Sequence, residues 1–84
     1  MYEIEFSKTA EKQFYKLHKD VQIRIISALE RIRLRPYAHV KKLVASPYFS
    51  LRVGDYRVII DIKKDILIII VIKIGHRKEI YKKS

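Results

Sequence analysis

The 84-residue sequence predicts an α+β fold: an N-terminal strand, a two-helix hairpin and a three-strand antiparallel meander, with the helices packed on one face of a small curled sheet. Three observations predict it. The opening YEIEF alternates apolar and acidic residues, residues 7–35 carry apolar side chains at helical spacing in two successive stretches, and from Tyr48 onward the apolar residues fall in β-branched runs broken by short turn signals.

The first strand spans residues 2–6, with Tyr2, Ile4 and Phe6 on one side and Glu3 and Glu5 on the other, and it is short enough to be an edge. Ser7 then caps a helix over residues 8–17. Its hydroxyl can satisfy a free backbone N–H, Glu11 lies in the favourable first turn, and Ala10, Phe14 and Leu17 form the inner stripe. Asp20 is read as a second N-cap, opening a helix that runs through Arg35 and repeats Val21, Ile25, Ala28, Leu29 and Ile32 on one face until Pro36 stops it.

Residues 36–47 hold both prolines and no strong period, which reads as a loop with a short turn at residues 41–43. Strands are expected over residues 48–53 and 56–62, joined by Gly54-Asp55, then a turn at Lys63, Lys64 and Asp65, then a long central strand over residues 66–74. Simple alternation puts Ile68, Ile70, Ile72 and Ile74 on one side of that strand and Leu67, Ile69 and Val71 on the other. One helix pair cannot cover both, so the sheet either curls strongly or lies against a second chain.

Residues 1–84 are expected to form a single domain. With no cysteine, neither a disulfide framework nor a thiolate metal site is available, and a reducing cytoplasm is the expected location. The N-terminus lacks the basic start and apolar core of a signal peptide, and about nine apolar residues fall short of the roughly 20 of a membrane span. The formal net charge is +10, unevenly spread: residues 1–20 hold four basic and four acidic side chains, residues 21–84 fifteen and five. A local excess of that size points to a polyanionic partner, nucleic acid above all.

Several enzyme classes drop out on spacing. Asp55, Asp61, Asp65 and Glu79 are isolated, His18, His39 and His76 lack ligand spacing, and neither a phosphate loop nor a serine triad signature is present. No metal or cofactor is expected. What remains is a set of arginines and tyrosines in LRVGDYR and GHRKEIY. Arg52 and Arg57 flank a two-residue turn that can bring them together, and guanidinium forks bind phosphate oxygens bidentately. Arg77 and Tyr81 stand four residues apart, so a helical tail puts them on one face, where the guanidinium favours the phenolate. A covering role for Tyr81 and an ion pair for Arg77 fit that spacing equally well. His76 is read as a surface residue at a strand end.

The element order, with LRVGDYRVII and IGHRKEIY, is similar to the RelE/ParE superfamily of toxins, and within it to the RelE-type messenger RNA interferases of type II toxin–antitoxin systems. The similarity runs from YEIEFS through Lys42-Leu43 and GDYR to HRKEIY. It implies a RelE-like toxin domain, neutralised by a RelB-like antitoxin, that enters the ribosomal A site and cuts mRNA by 2′-hydroxyl attack without a metal. By the same resemblance Arg57 stabilises phosphate charge, Arg77 and Tyr81 serve cleavage, and Arg52 is a basic position on the preceding strand. Lys41, Lys42 and Lys78 are expected to add RNA contacts. Tyr48 and Ser50 stand where well-studied members place catalytic lysines. The alternatives are a ParE-like DNA gyrase inhibitor without nuclease activity, and an inactive relative that only binds antitoxin.

Overall fold

Ser7 ends the first strand and starts the first helix. In the computed structural model, which describes residues 1–80 and the side chains of residues 1–78, β1 (Glu3–Phe6) passes through Ser7 into α1 (Lys8–Tyr15). The Ser7 hydroxyl accepts from the Ala10 N–H at 3.0 Å, satisfying one of the helix's free amides as expected. α1 stops two residues before the expected Leu17. The Gln22 side-chain amide donates to the carbonyls of Phe14 and Leu17, at 3.0 and 3.1 Å, and fixes the connection to α2 (Lys19–Ile32).

Both ends of α2 differ from expectation. His18, without a side-chain bond, holds the N-cap position, and Asp20 lies inside the first turn, where its charge suits the positive end of the helix dipole. The helix ends at Ile32, before Arg35. The Tyr2 N–H donates to the Arg33 carbonyl at 3.0 Å and Arg33 Nε donates to the Tyr2 carbonyl at 2.8 Å, which takes the chain out of the helix and onto the N-terminal residues. Proline also disfavours helical geometry in the residue before it.

After a 3₁₀ turn at Pro36–Ala38 come β2 (Lys41–Lys42), β3 (Phe49–Val53), β4 (Tyr56–Lys63), β5 (Ile68–His76) and the short α3 (Arg77–Ile80). The expected meander is β3, β4 and β5, and the sheet extends beyond it on both sides in the order β1-β5-β4-β3-β2. β1 is an edge strand as expected and runs parallel to β5. β2 lies inside the segment expected to be a loop, and two residues are too few to show a period. β5 begins at Ile68 because Leu67 has a φ of 56°, a turn conformation that precedes the ladder.

Leu51 and Val53 of β3, Val58, Ile60 and Ile62 of β4, and Ile69, Val71 and Ile74 of β5 form one buried cluster with Ala10, Ile25, Ala28, Leu29 and Ile32 of the helices. Each fully buried isoleucine stabilises the fold by about 1.5–3 kcal/mol.

Ile74 corrects the simple alternation. The register runs Ile59↔Lys73 and then Ile60↔Val71, so Ile72 is an extra residue in β5. A bulge of this kind inverts the inside–outside sequence beyond it. Ile74 therefore joins Ile69 and Val71 in the core, and Lys73 is turned to the other side. The Ser7 hydroxyl donates to the Ile72 carbonyl at 2.8 Å and the Ile74 N–H donates to Gln13 Oε1 at 2.7 Å, so α1 side chains satisfy the backbone groups that the bulge takes out of the ladder. Among the described residues no helix is long and apolar enough to cross a membrane.

Candidate functional site

The face of the sheet away from the helices is where the cations gather, and the Gly54-Asp55 turn is the cause. Gly54 has a φ of 58° at the first central position of a two-residue hairpin, a place where right-twisted strands favour a positive φ. The tight turn sets Val53 against Tyr56 and Arg52 against Arg57. Since Leu51, Val53 and Val58 point into the core, period-two alternation sends Ser50, Arg52, Arg57 and Ile59 to the open face.

Two cross-strand rows follow from the register. One reads Lys41, Ser50, Ile59, Lys73 from β2 to β5, and the next reads Arg52, Arg57, Gly75. An open cavity of about 390 Å³ lies over their β2–β3 end, bordered by Lys41, Lys42, Leu43, Val44, Ser50, Arg52 and Arg57, with no acidic residue in its wall. Its size is in the range of small-ligand sites. Arg52 also borders a second groove of about 320 Å³, which it shares with Arg24 and Arg31 of α2.

The guanidinium groups are loosely held. Arg52 Nε reaches the Gly54 carbonyl and Arg57 Nη1 the Tyr56 carbonyl, both at the long distance of 3.4 Å. Ion pairs among the described residues are Arg33–Glu30 at 2.9 Å and Lys63–Asp61 at 3.1 Å, so Asp61, the open-face acid of β4, is engaged by lysine. Like charges on directly opposed residues repel, and an anion seated between them removes the repulsion.

The Arg77 N–H donates to the Asp55 carbonyl at 2.7 Å, which starts α3 beside the turn and brings exposed Arg77 to the same end of the sheet as Arg52 and Arg57. Tyr81 lies outside the described residues. Lys78 is exposed and its N–H donates to His76 Nδ1 at 3.3 Å, while the His76 ring packs edge-on against Tyr56. Lys41 belongs to the open face opposite Ser50. Lys42, opposite Phe49, has its ammonium bonded to the Ser46 carbonyl and 5.8 Å from the Phe49 ring centroid, and it borders the same cavity as Arg52 and Arg57. Lys73 is the cation that sequence reasoning missed. The signal available was its standing as the one charged residue in the otherwise aliphatic run ILIIIVIKI.

The descriptive model of the ParE toxin of the parDE type II toxin–antitoxin system matches residues 4–81. No curated protein sequence matches. Solved structures do. A chain of the RelBE2 toxin–antitoxin complex from Mycobacterium tuberculosis is 23% identical, with 90% of this chain and 98% of that one covered at a TM-score of 0.80. A chain of the intact E. coli RelBE complex is 25% identical, covering 90% and 96% at 0.79. A chain of the RelB–RelE complex from Methanococcus jannaschii is 27% identical, covering 95% and 98% at 0.74. The fold is thus that of the RelE toxins. With a family match over nearly its whole length and that architecture beneath it, the chain belongs to the ParE toxins of type II toxin–antitoxin systems, within the RelE/ParE superfamily.

Proposed function

We propose that this toxin is a ribosome-dependent, metal-free endoribonuclease that cuts messenger RNA in the A site. The observation that carries the reading is the opposed pair Arg52 and Arg57 at the border of a cavity with no acid in its wall. A backbone phosphate there meets two guanidinium forks, with Arg77 close by at the same end of the sheet. The ribose 2′-hydroxyl attacks the adjacent phosphorus, its proton passes to a base, the 5′-oxygen leaves with a proton, and a 2′,3′-cyclic phosphate remains. The arginines stabilise the charge that builds on the phosphoryl oxygens, and Tyr81 assists proton transfer.

Neither arginine nor tyrosine ordinarily titrates near neutrality, so the chain by itself is a poor acid–base catalyst. Orientation of the message by the ribosome supplies what the side chains lack. The partner is a RelB-like antitoxin, acidic and partly helical, that covers the basic face in a salt-sensitive complex. The complexes among the structural relatives support it.

The test is induced expression followed by mapping of RNA ends. Growth arrest with messages cut inside codons is expected, and full toxicity of Arg57→Ala and Arg77→Ala would overturn the assignment. The ParE family match favours a second reading, inhibition of DNA gyrase without cleavage. A supercoiling assay separates the two, because only the second gives loss of supercoiling with RNA intact.

A further inference from the structure

We propose that Lys73 is a substrate-positioning residue, which binds the phosphodiester next to the one held by Arg57. The inference rests on the RNA-cleavage reading and goes beyond it by extending the site across the sheet to β5.

The bulge at Ile72 is the starting point. Under plain alternation Lys73 would share a side with Ile69 and Val71 and bury its charge in the core. The extra residue instead places it opposite Ile59, on the open face and exposed. Ile59 is buried yet stands apart from the core cluster beneath the helices, so it forms an apolar floor between Ser50 and Lys73 in one row. In the neighbouring row Arg57 is opposite Gly75, which makes Lys73 its diagonal neighbour. Diagonal cross-strand positions lie about 7–8 Å apart, within reach of long side chains. Gly75 adds no side chain to stand between a bound chain and the strand.

The bulge is also held from both sides. Ser7 bonds the Ile72 carbonyl and Gln13 bonds the Ile74 N–H, so the residues on either side of Lys73 are both anchored to α1. Bulges often re-aim a side chain beside a functional site. Here the result is one cation on each of four successive strands, Lys41 and Lys73 in one cross-strand row and Arg52 and Arg57 in the next, a band suited to a single strand of polyanion lying across the sheet. An ammonium group binds phosphate as a compact charge, so its role is grip and register while the arginine forks meet the reacting phosphate.

The probe is a single-stranded RNA with 2′-O-methyl riboses, which cannot be cut, titrated with full-length toxin between about 50 and 200 mM salt. Loss of one phosphate contact should lower the magnitude of the log–log salt slope by about 0.7 for Lys73→Ala. Lys73→Arg should restore it, and Lys64→Ala, an equal loss of charge at the far turn, should leave it unchanged. On programmed ribosomes Lys73→Ala should raise KM with kcat within a few-fold, whereas Arg57→Ala should lower kcat. A Lys73→Ala slope equal to the parent's, or one matched by Lys64→Ala, overturns the inference while leaving the nuclease reading intact. If the unsubstituted toxin neither binds this RNA nor cuts ribosome-bound messages, the nuclease reading fails and the inference with it.

Discussion

Arg52 and Arg57 stand directly opposite each other across a two-residue turn, two positive side chains on adjacent strands of one sheet face. A fold free to choose would place an acid or a threonine at one of these positions, because opposed like charges destabilise a strand pair.

Removing one charge should therefore strengthen the hairpin and weaken the function. Arg57→Gln is expected to raise stability to denaturant by about 0.2–1 kcal/mol. It should also lower the rate of RNA cleavage by about 10²- to 10³-fold, the range for loss of one preorganised charge-stabilising donor. Chemical melts paired with cleavage assays on programmed ribosomes check both.

Ser7 does two jobs, capping α1 and holding the Ile72 carbonyl. Ser7→Ala should cost about 1–2 kcal/mol, since an N-cap and a bulge bond are lost together. Ser7→Thr should retain most of it. Equilibrium unfolding of the three proteins measures the difference.

Gly54 offers a cleaner test of backbone strain. A Cβ there would have its nearest contact, Arg24 Nη1, at an ordinary 3.7 Å, so the cost of Gly54→Ala comes from the φ of 58° alone. A loss of about 1–2 kcal/mol is expected from the left-handed conformation, read as a lower melting temperature.

Ile60 is fully buried at the centre of the sheet, opposite both Phe49 and Val71. Ile60→Ala should cost about 2–5 kcal/mol through lost transfer energy and the cavity left behind. Against a total of about 5–15 kcal/mol that is enough to deplete the folded toxin at growth temperature. Loss of toxicity with loss of soluble protein is the expected outcome.

The sequence carried most of this architecture in local signals. Ser7 followed by Glu11 marks a helix start and Gly54-Asp55 fixes the register that brings Arg52 to Arg57, whereas Pro36 only bounds the second helix, which ends earlier, at Ile32. The bulge was not legible, because in ILIIIVIKI both alternating sets are aliphatic and neither phase contradicts itself. Lys73 was missed for that reason: its side depends on an extra residue chosen by hydrogen bonds from Ser7 and Gln13, more than 60 positions away for each. β2 escaped notice because two lysines have no periodicity to read. In the site, Arg52 and Arg57 were legible because a short turn leaves little geometric freedom.

The pairing of β1 with β5 has a temporal meaning for a protein of this kind. Of the described strands, the one synthesised first has as its neighbour the one synthesised last, so the five-stranded sheet closes only when β5 has been made. Until β5 is in place β1 has no strand to pair with and Ile69, Val71 and Ile74 are missing from the core, so the last of the described strands to be made completes both the sheet and the packing beneath the helices.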